Sequence, residues 1–284
     1  MLDNARDFFK GIHVGLGFGG VFEGKEREAL SEEDYVRSVH LALSIGYRFF
    51  DTAEAYSGGR SESILGKALG RNRQEVLIAT KISPENLSPL TLLKSAEDSL
   101  RRLRTDYIDL YQVHWPNPGV SPEQTAEGLS LLLENGLVKR VGVCNYSPRQ
   151  LRELWTLLPA GSFVSSQVEL SLVDRFQVPR SLAWAEQNGL VTLAYSPLGK
   201  GRLFAGEKAA LRVTEVAEEV GATPAQVVLR WLAESGSILP IPASRNPDHM
   251  EQNFGFMDFE YKPATHASIT SELAEDDVAY LSPS

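Results

Sequence analysis

"DYIDLYQVHWPNPGVSPEQTAEGLSLLLENGLVKRVGVCNYSPRQ", residues 106–150, holds two short apolar, β-rich runs, Tyr107–His114 and Arg140–Cys144. Between them Glu123–Glu134 has the apolar spacing of an amphipathic helix. Its start is marked by Ser121-Pro122-Glu123-Gln124: a hydroxyl for the N-cap, proline at the first helical position and glutamine at the third. The hydroxyl can accept from the orphan amide of the third residue, while the glutamine reaches back to the cap amide. Ser147-Pro148-Arg149-Gln150 and Thr223-Pro224-Ala225-Gln226 repeat the device. A strand, a helix and a second strand in this order make a right-handed crossover between parallel strands.

Outward from this unit the alternation continues. Further strand-like runs are Val14–Phe18, Arg48–Asp51, Val76–Lys81, Ser166–Val168, Val191–Tyr195 and Ile238–Ile241, and further helical stretches include Tyr35–Ser44, Leu92–Arg102 and Val213–Val220. Eight strands and about eight helices in 284 residues suit an α/β fold closed as a single (β/α)8 TIM barrel of parallel strands better than an open sheet. No Gly/Ser-rich linker or low-complexity tract interrupts residues 1–284, so one domain is expected. Tyr261–Glu272 is polar and aperiodic, and reads as a loop before a short last helix around Ala274–Leu281.

Composition narrows the function. With 43% hydrophobic and 23% charged residues the chain has the means to bury a large core. A net charge of −9 argues against a broad nucleic-acid-binding face. The single cysteine, Cys144, excludes an internal disulfide and points to a reducing compartment. The first fifteen residues lack the apolar core of a signal peptide, and no apolar run approaches membrane-spanning length. The expectation is a cytoplasmic protein with no membrane or nucleic-acid partner, no metal, and a small-molecule substrate, monomeric by preference.

Active sites of such barrels are built at the C-terminal ends of the strands. Those ends carry Asp51, Lys81, His114, Asn145, Gln167 and Tyr195, with Ser244 after the eighth strand. Each alone has an ordinary structural reading: a solvated strand end, a snorkelling lysine, a satisfied core histidine, a loop amide. Seven converging on one mouth call for a shared task. A buried lysine needs a counterion, and Asp51 is the candidate. Tyrosine is a poor proton donor at its ordinary pKa near 10, and a nearby ammonium favours the phenolate. Tyr56 beside Lys81 and Asp51, with His114 to orient a carbonyl, would polarise and protonate a carbonyl oxygen. No side chain supplies hydride, so a nicotinamide would have to.

These residues lie in motifs that resemble the aldo-keto reductase family over nearly the whole chain: "GLGFGG" (15–20), "DTAEAY" (51–56), "GRSESILGKAL" (59–69), "IATK" (78–81), "DYIDLYQVHWP" (106–116), "GVCNYS" (142–147), "QVELS" (167–171), "AYSPLGKG" (194–201) and "IPASRNPDHMEQN" (241–253). The resemblance implies NAD(P)H-dependent reduction of aldehydes and ketones, with a catalytic tetrad of Asp51, Tyr56, Lys81 and His114 and with Tyr56 as general acid. It implies cofactor binding by Gly20, Val21, Asp51, Cys144, Asn145, Gln167, Tyr195, Ser196, Pro197, Leu198, Gly199, Ser244, Arg245, His249, Gln252 and Asn253. Within that set Asn145 and Gln167 hold the carboxamide and Tyr195 stacks on the nicotinamide ring. The substrate would meet Phe22, Tyr56, His114 and Trp115.

Three positions depart from the family pattern. Cys144 stands where a serine usually precedes the asparagine; its thiol is a weaker hydrogen-bond donor, and its first reading is a small buried apolar residue. Ala243 and His249 replace a lysine and an arginine of the adenosine-binding segment, which leaves Arg245 to bind a 2′-phosphate through its planar fork. NADP(H) is therefore the expected cofactor, with NAD(H) the alternative. The stretch after Tyr195 is short and no long C-terminal tail follows, so an open substrate pocket is expected. Two other functions fit the same barrel: a Schiff-base lyase using Lys81, and a cofactor-sensing subunit.

Overall fold

The computed structural model describes residues 5–19, 31–172, 179–204 and 208–271. Eight strands lie in one sheet in chain order, each pair parallel. They are β1 (Leu16–Gly17), β2 (Phe49–Asp51), β3 (Leu77–Ile82), β4 (Ile108–Val113), β5 (Val138–Cys144), β6 (Phe163–Glu169), β7 (Val191–Tyr195) and β8 (Ile238–Ile241). The ring closes between β8 and β1, where the Gly15 and Gly17 amides donate to the Pro240 and Pro242 carbonyls at 3.0 Å. Glycine is required there. A Cβ on Gly15 would sit 2.5 Å from the Phe49 ring and 2.7 Å from Ile241. The chain is the (β/α)8 barrel that the alternation predicts.

The helices are α1 (Ala5–Phe8), α2 (Glu32–Ile45), α3 (Arg60–Leu69), α4 (Pro89–Leu103), α5 (Pro122–Glu134), α6 (Pro148–Leu157), α7 (Pro179–Gln187), α8 (Lys208–Val220), α9 (Pro224–Glu234), α10 (Pro247–Phe254) and α11 (Pro263–Ser271). All three capping boxes read from the sequence form as expected, at Ser121, Ser147 and Thr223, and Ser31–Asp34 adds a fourth. Strict alternation holds as far as β7, after which α8 and α9 both precede β8.

The polar stretch expected as a loop is instead α11. Its buried face is His266, Ile269 and Thr270, which mimics no apolar stripe. That face docks on Trp231, whose indole N–H donates to Thr270 Oγ1 at 3.0 Å and whose ring stacks on His266. The helix expected around Ala274–Leu281 lies outside the described residues.

Outward-facing strand residues such as Phe50, Ile78, Tyr111, Val141 and Val143 pack under Leu65, Leu92, Leu129 and Leu151 of the helical ring. Inside the barrel Phe49, Ala79, Leu110, Leu193, Leu239 and Ile241 form an apolar plug. Phe9 caps it from below, edge-on to Phe49 at 5.4 Å. Among the described residues, the N-terminal end of the barrel interior is filled by this apolar packing.

Gly66 brings α3 against the end of α4, where its Cβ would lie 2.4 Å from the Leu103 carbonyl oxygen. Alanine in an exposed helix interior is worth about 1 kcal/mol over glycine. Gly66→Ala should reverse that sign and lose about 1–3 kcal/mol, because the obstacle is backbone and cannot rotate away. Urea unfolding of the two proteins decides it; equal or greater stability in Gly66→Ala refutes the packing argument.

Candidate active site

Residues two apart on a strand share a face. Register pairs Asp51 with Ala79, Lys81 with Gln112, Gln112 with Gly142, Cys144 with Gln167 and Tyr195 with Ile241. All of these side chains therefore point inward, above the apolar plug. Lys81 is buried completely, and its ammonium has three N–H bonds to place. One goes to Asp51 Oδ1 at 2.5 Å, one to the Thr52 carbonyl at 2.9 Å and one to the Tyr56 hydroxyl oxygen at 3.4 Å. Since the phenol oxygen accepts from Lys81, its own proton is left to be donated elsewhere. The His114 ring stands edge-on to Tyr56 with centroids 5.6 Å apart.

Tyr56 reaches this position through a tight loop. Ser57, Gly58 and Gly59 all have positive φ, at 51°, 62° and 84°, a conformation that suits the two glycines. Carboxylates anchor the loop from the helix side. Glu54 accepts from the Ser83 amide at 2.7 Å, from Asn86 Nδ2 at 3.0 Å and from the Ser95 hydroxyl. Glu62, fully buried, accepts from Thr80 Oγ1 at 2.5 Å and Arg102 Nε at 2.6 Å. Thr52 and Tyr35 both meet the Ser61 hydroxyl, at 2.8 and 3.0 Å.

On the other side of the mouth, Tyr195 donates to Asn145 Oδ1 at 3.1 Å, and Asn145 Nδ2 donates to the His114 carbonyl at 3.3 Å. Asn145 and Ser196 sit at the ends of β5 and β7 with φ of 62° and 49°. Gln167 donates from Nε2 to Asp51 Oδ2 at 2.9 Å. Gln112, which the motifs did not single out, lies 3.4 Å from the same oxygen. It was detectable in principle, being the one polar residue between Leu110 and His114 on the inward face of β4.

Burial raises the pKa of Tyr56, with Lys81 opposing and Asp51 adding to the rise, so the phenol is protonated at neutral pH. Burial opposes the Lys81 charge, yet the interaction with the Asp51 carboxylate outweighs it and its pKa is raised. His114 falls from 6.5 to about 4, through burial first and Lys81 second, and is neutral. Burial pushes the Cys144 thiol up, which keeps it protonated.

Tyr56, His114 and Cys144 line a cavity of about 950 Å³, at the upper end of ligand sites (~300–1,000 Å³). Its wall takes in Asp51, Tyr56, His114, Trp115, Cys144, Asn145, Gln167, Tyr195, Ser196, Pro197 and Leu198, then runs out to Ser244, Arg245 and His249. Of the other expected site residues, Lys81 lies beneath the floor, while Gly199, Gln252 and Asn253 are not in the wall. Gly20, Val21 and Phe22 lie outside the described residues, as do parts of the segments on which the expected openness depends. Gly17, Gly19, Lys200, Gly201 and Asn246 also line the cavity without having been expected to. Trp115 is 49% exposed at its rim.

The family model for the aldo/keto reductase family matches residues 15–274. The chain belongs to the aldo/keto reductase family. It is 32% identical over 269 residues to the methylglyoxal reductase YeaE of Escherichia coli (strain K12), covering 94% of this chain and 91% of that one. An aldo-keto reductase of Mycobacterium sp. (strain KMS) is 38% identical over 246 residues, 84% of each chain. Among solved structures, a thermostable aldo-keto reductase crystallised with the inhibitor epalrestat superposes with a TM-score of 0.85 at 32% identity, covering 92% of this chain and 94% of that one. An aldo/keto reductase from Klebsiella pneumoniae in complex with NADP and acetate gives 0.82 at 26% identity, over 93% and 92%. No helix among the described residues is long and apolar enough to cross a membrane.

The lowered His114 pKa has a stability consequence. A histidine that stays neutral when folded but is free to charge when unfolded stabilises the fold fully above pH 6.5, and that contribution is lost as pH falls toward 4. The share is roughly 3 kcal/mol over that window. His114→Phe should flatten the fall in stability between pH 7 and pH 4.5 relative to the parent, read from urea midpoints. Identical slopes would mean that His114 charges in the folded protein.

Proposed function

We propose that this protein is an NADP(H)-dependent reductase of small aldehydes, 2-oxoaldehydes such as methylglyoxal included, with Tyr56 as the proton donor. The observation that carries the reading is the Asp51–Lys81–Tyr56 line ending at the cavity floor beside His114. The names of the relatives, methylglyoxal reductases among them, support the substrate class.

The residues fit a nicotinamide dinucleotide. The cavity lining includes Tyr56 and His249, the amide side chains of Asn145 and Gln167, and Arg245, which precedes the Asn246 N-cap of α10. The cofactor would supply hydride. Asn145 and Gln167 would hold its carboxamide, Tyr195 its ring, and Ser196, Pro197 and Leu198 its pyrophosphate. Arg245 suits a 2′-phosphate, since a guanidinium fork favours anions. Neutral His114 donates one hydrogen bond to the carbonyl oxygen and fixes its angle. Tyr56 gives the proton as negative charge builds on that oxygen, and Lys81 stabilises the phenolate left behind. In alcohol oxidation the same phenolate accepts the proton.

The Schiff-base reading of Lys81 fares poorly. A nucleophilic lysine needs a lowered pKa and a free lone pair, whereas this ammonium is held charged by a buried carboxylate and has all three protons engaged.

Tyr56→Phe should cut turnover of methylglyoxal, followed as NADPH absorbance at 340 nm, by ~10²–10⁴, while NADPH affinity by fluorescence quenching stays within about twofold. Full activity in this variant excludes Tyr56 as the donor. Lys81→Met removes the charge that lowers the tyrosine pKa, so the pH profile for alcohol oxidation should move alkaline; an unmoved profile makes the pair purely structural. Arg245→Ala should weaken NADPH binding about tenfold and NADH binding little, the loss of one charged contact; equal losses for both cofactors remove Arg245 from 2′-phosphate binding.

A further inference from the structure

Asp51 Oδ2 faces two glutamines. A carboxylate only accepts, so both amide nitrogens point to it, Gln167 at 2.9 Å and Gln112 at 3.4 Å. The two differ in what else they touch. Gln167 lines the cavity; Gln112 does not, and is completely buried beneath it. Gln112 is braced from behind by Ser165, whose hydroxyl donates to Gln112 Oε1 at 3.3 Å. Space for this brace depends on Gly142. A Cβ there would lie 2.2 Å from Ser165 Oγ and 3.2 Å from Gln112 Cγ. A buried polar line thus runs from Ser165 through Gln112 to Asp51, Lys81 and Tyr56, crossing β6, β4, β2 and β3.

On the proposed function, Gln167 has two claims on one amide. It holds Asp51 when the cavity is free and is drawn to the carboxamide when the cofactor binds. That would strip Oδ2 of its shorter hydrogen bond, and a buried carboxylate short of donors is costly. We infer that Gln112 is a positioning residue, the reserve donor that takes over Asp51 Oδ2 when ligand binding draws Gln167 away, and so keeps Lys81 aimed at Tyr56. The length of its present contact fits a donor that is second in line. The inference rests on the cofactor reading above. It makes cofactor affinity depend on a side chain that never meets the cofactor.

The same line bears on Tyr56. The titratable groups facing Tyr56 are Lys81, Asp51, Cys144, His114, Tyr35 and Tyr195. Only Asp51 among them is bonded to Gln112. Losing that donor leaves more of the Asp51 charge acting on Lys81, and the phenolate loses support.

The test is a double-mutant cycle on NADP+ affinity, read by quenching of protein fluorescence. Gln112→Met keeps the shape and removes the donor. Alone it should weaken NADP+ binding about tenfold, the scale of one hydrogen bond to a charged group. In a Gln167→Met background, where binding no longer takes a donor from Asp51, the same change should cost less than about twofold. Ser165→Ala, a milder change that only loosens the brace, should follow the pattern with a smaller loss, and it serves if Gln112→Met does not fold. In parallel, the alkaline limb of alcohol oxidation should move up by about half a pH unit in Gln112→Met. Equal weakening in both backgrounds, or none in the parent, overturns the inference while leaving the proposed function intact. A parent that binds no NADP+ overturns both.

Discussion

A lysine ammonium with no exposed surface governs this barrel mouth. Removing a charge from water costs several kcal/mol unless it is matched by an opposite charge and its protons are all accepted. Lys81 meets both conditions through three acceptors that follow one another in the chain: the Asp51 carboxylate, the Thr52 carbonyl and the Tyr56 hydroxyl. That demand explains the local design. The end of β2 must lie beside β3, and the loop after it must turn back at once to present a hydroxyl. Two glycines with positive φ make the return possible.

The arrangement is held from both sides of the sheet. Inside, the apolar plug and the two glutamines support Asp51. Outside, Glu54 and Glu62 tie the returning loop to β3, to α4 and to the turn between them. Neither carboxylate touches the cavity. Their effect is to limit where Tyr56 can go; in the proposed role, a preorganised donor would lose little to reorganisation when charge develops beside it.

One buried cation also sets two protonation states. Lys81 works against the burial that raises the Tyr56 pKa, and it adds to the burial that lowers the His114 pKa. The result is a phenol that keeps its proton but releases it more readily than burial alone would allow, next to an imidazole that stays neutral. On the proposed function, such a pair would orient and protonate a carbonyl oxygen without a second positive charge in the site.

Much of this was legible along the chain. The capping boxes at Ser121, Ser147 and Thr223 were, because each is closed within four residues and needs no partner from elsewhere. The strand ends were, because alternation with well-marked helices placed Asp51, Lys81, His114, Asn145, Gln167 and Tyr195 at one mouth. What the sequence hid depends on neighbours far apart in it. Gln112 has a meaning only through Gly142, Ser165 and Asp51, on three other strands. Gln167 is held by an aspartate 116 residues away. Helix α11 hides its buried face behind His266 and Thr270, which are interior only because Trp231 covers them. Barrel closure rests on amides of two glycines, which carry no side-chain pattern to read. Sequence by itself determined the elements, the order of the strands and which residue types reach the mouth, since those follow from local periodicity and chain order. Only the tertiary structure decided which of them share a proton or a charge, because that depends on distances of a few ångströms between strands that the chain brings together last.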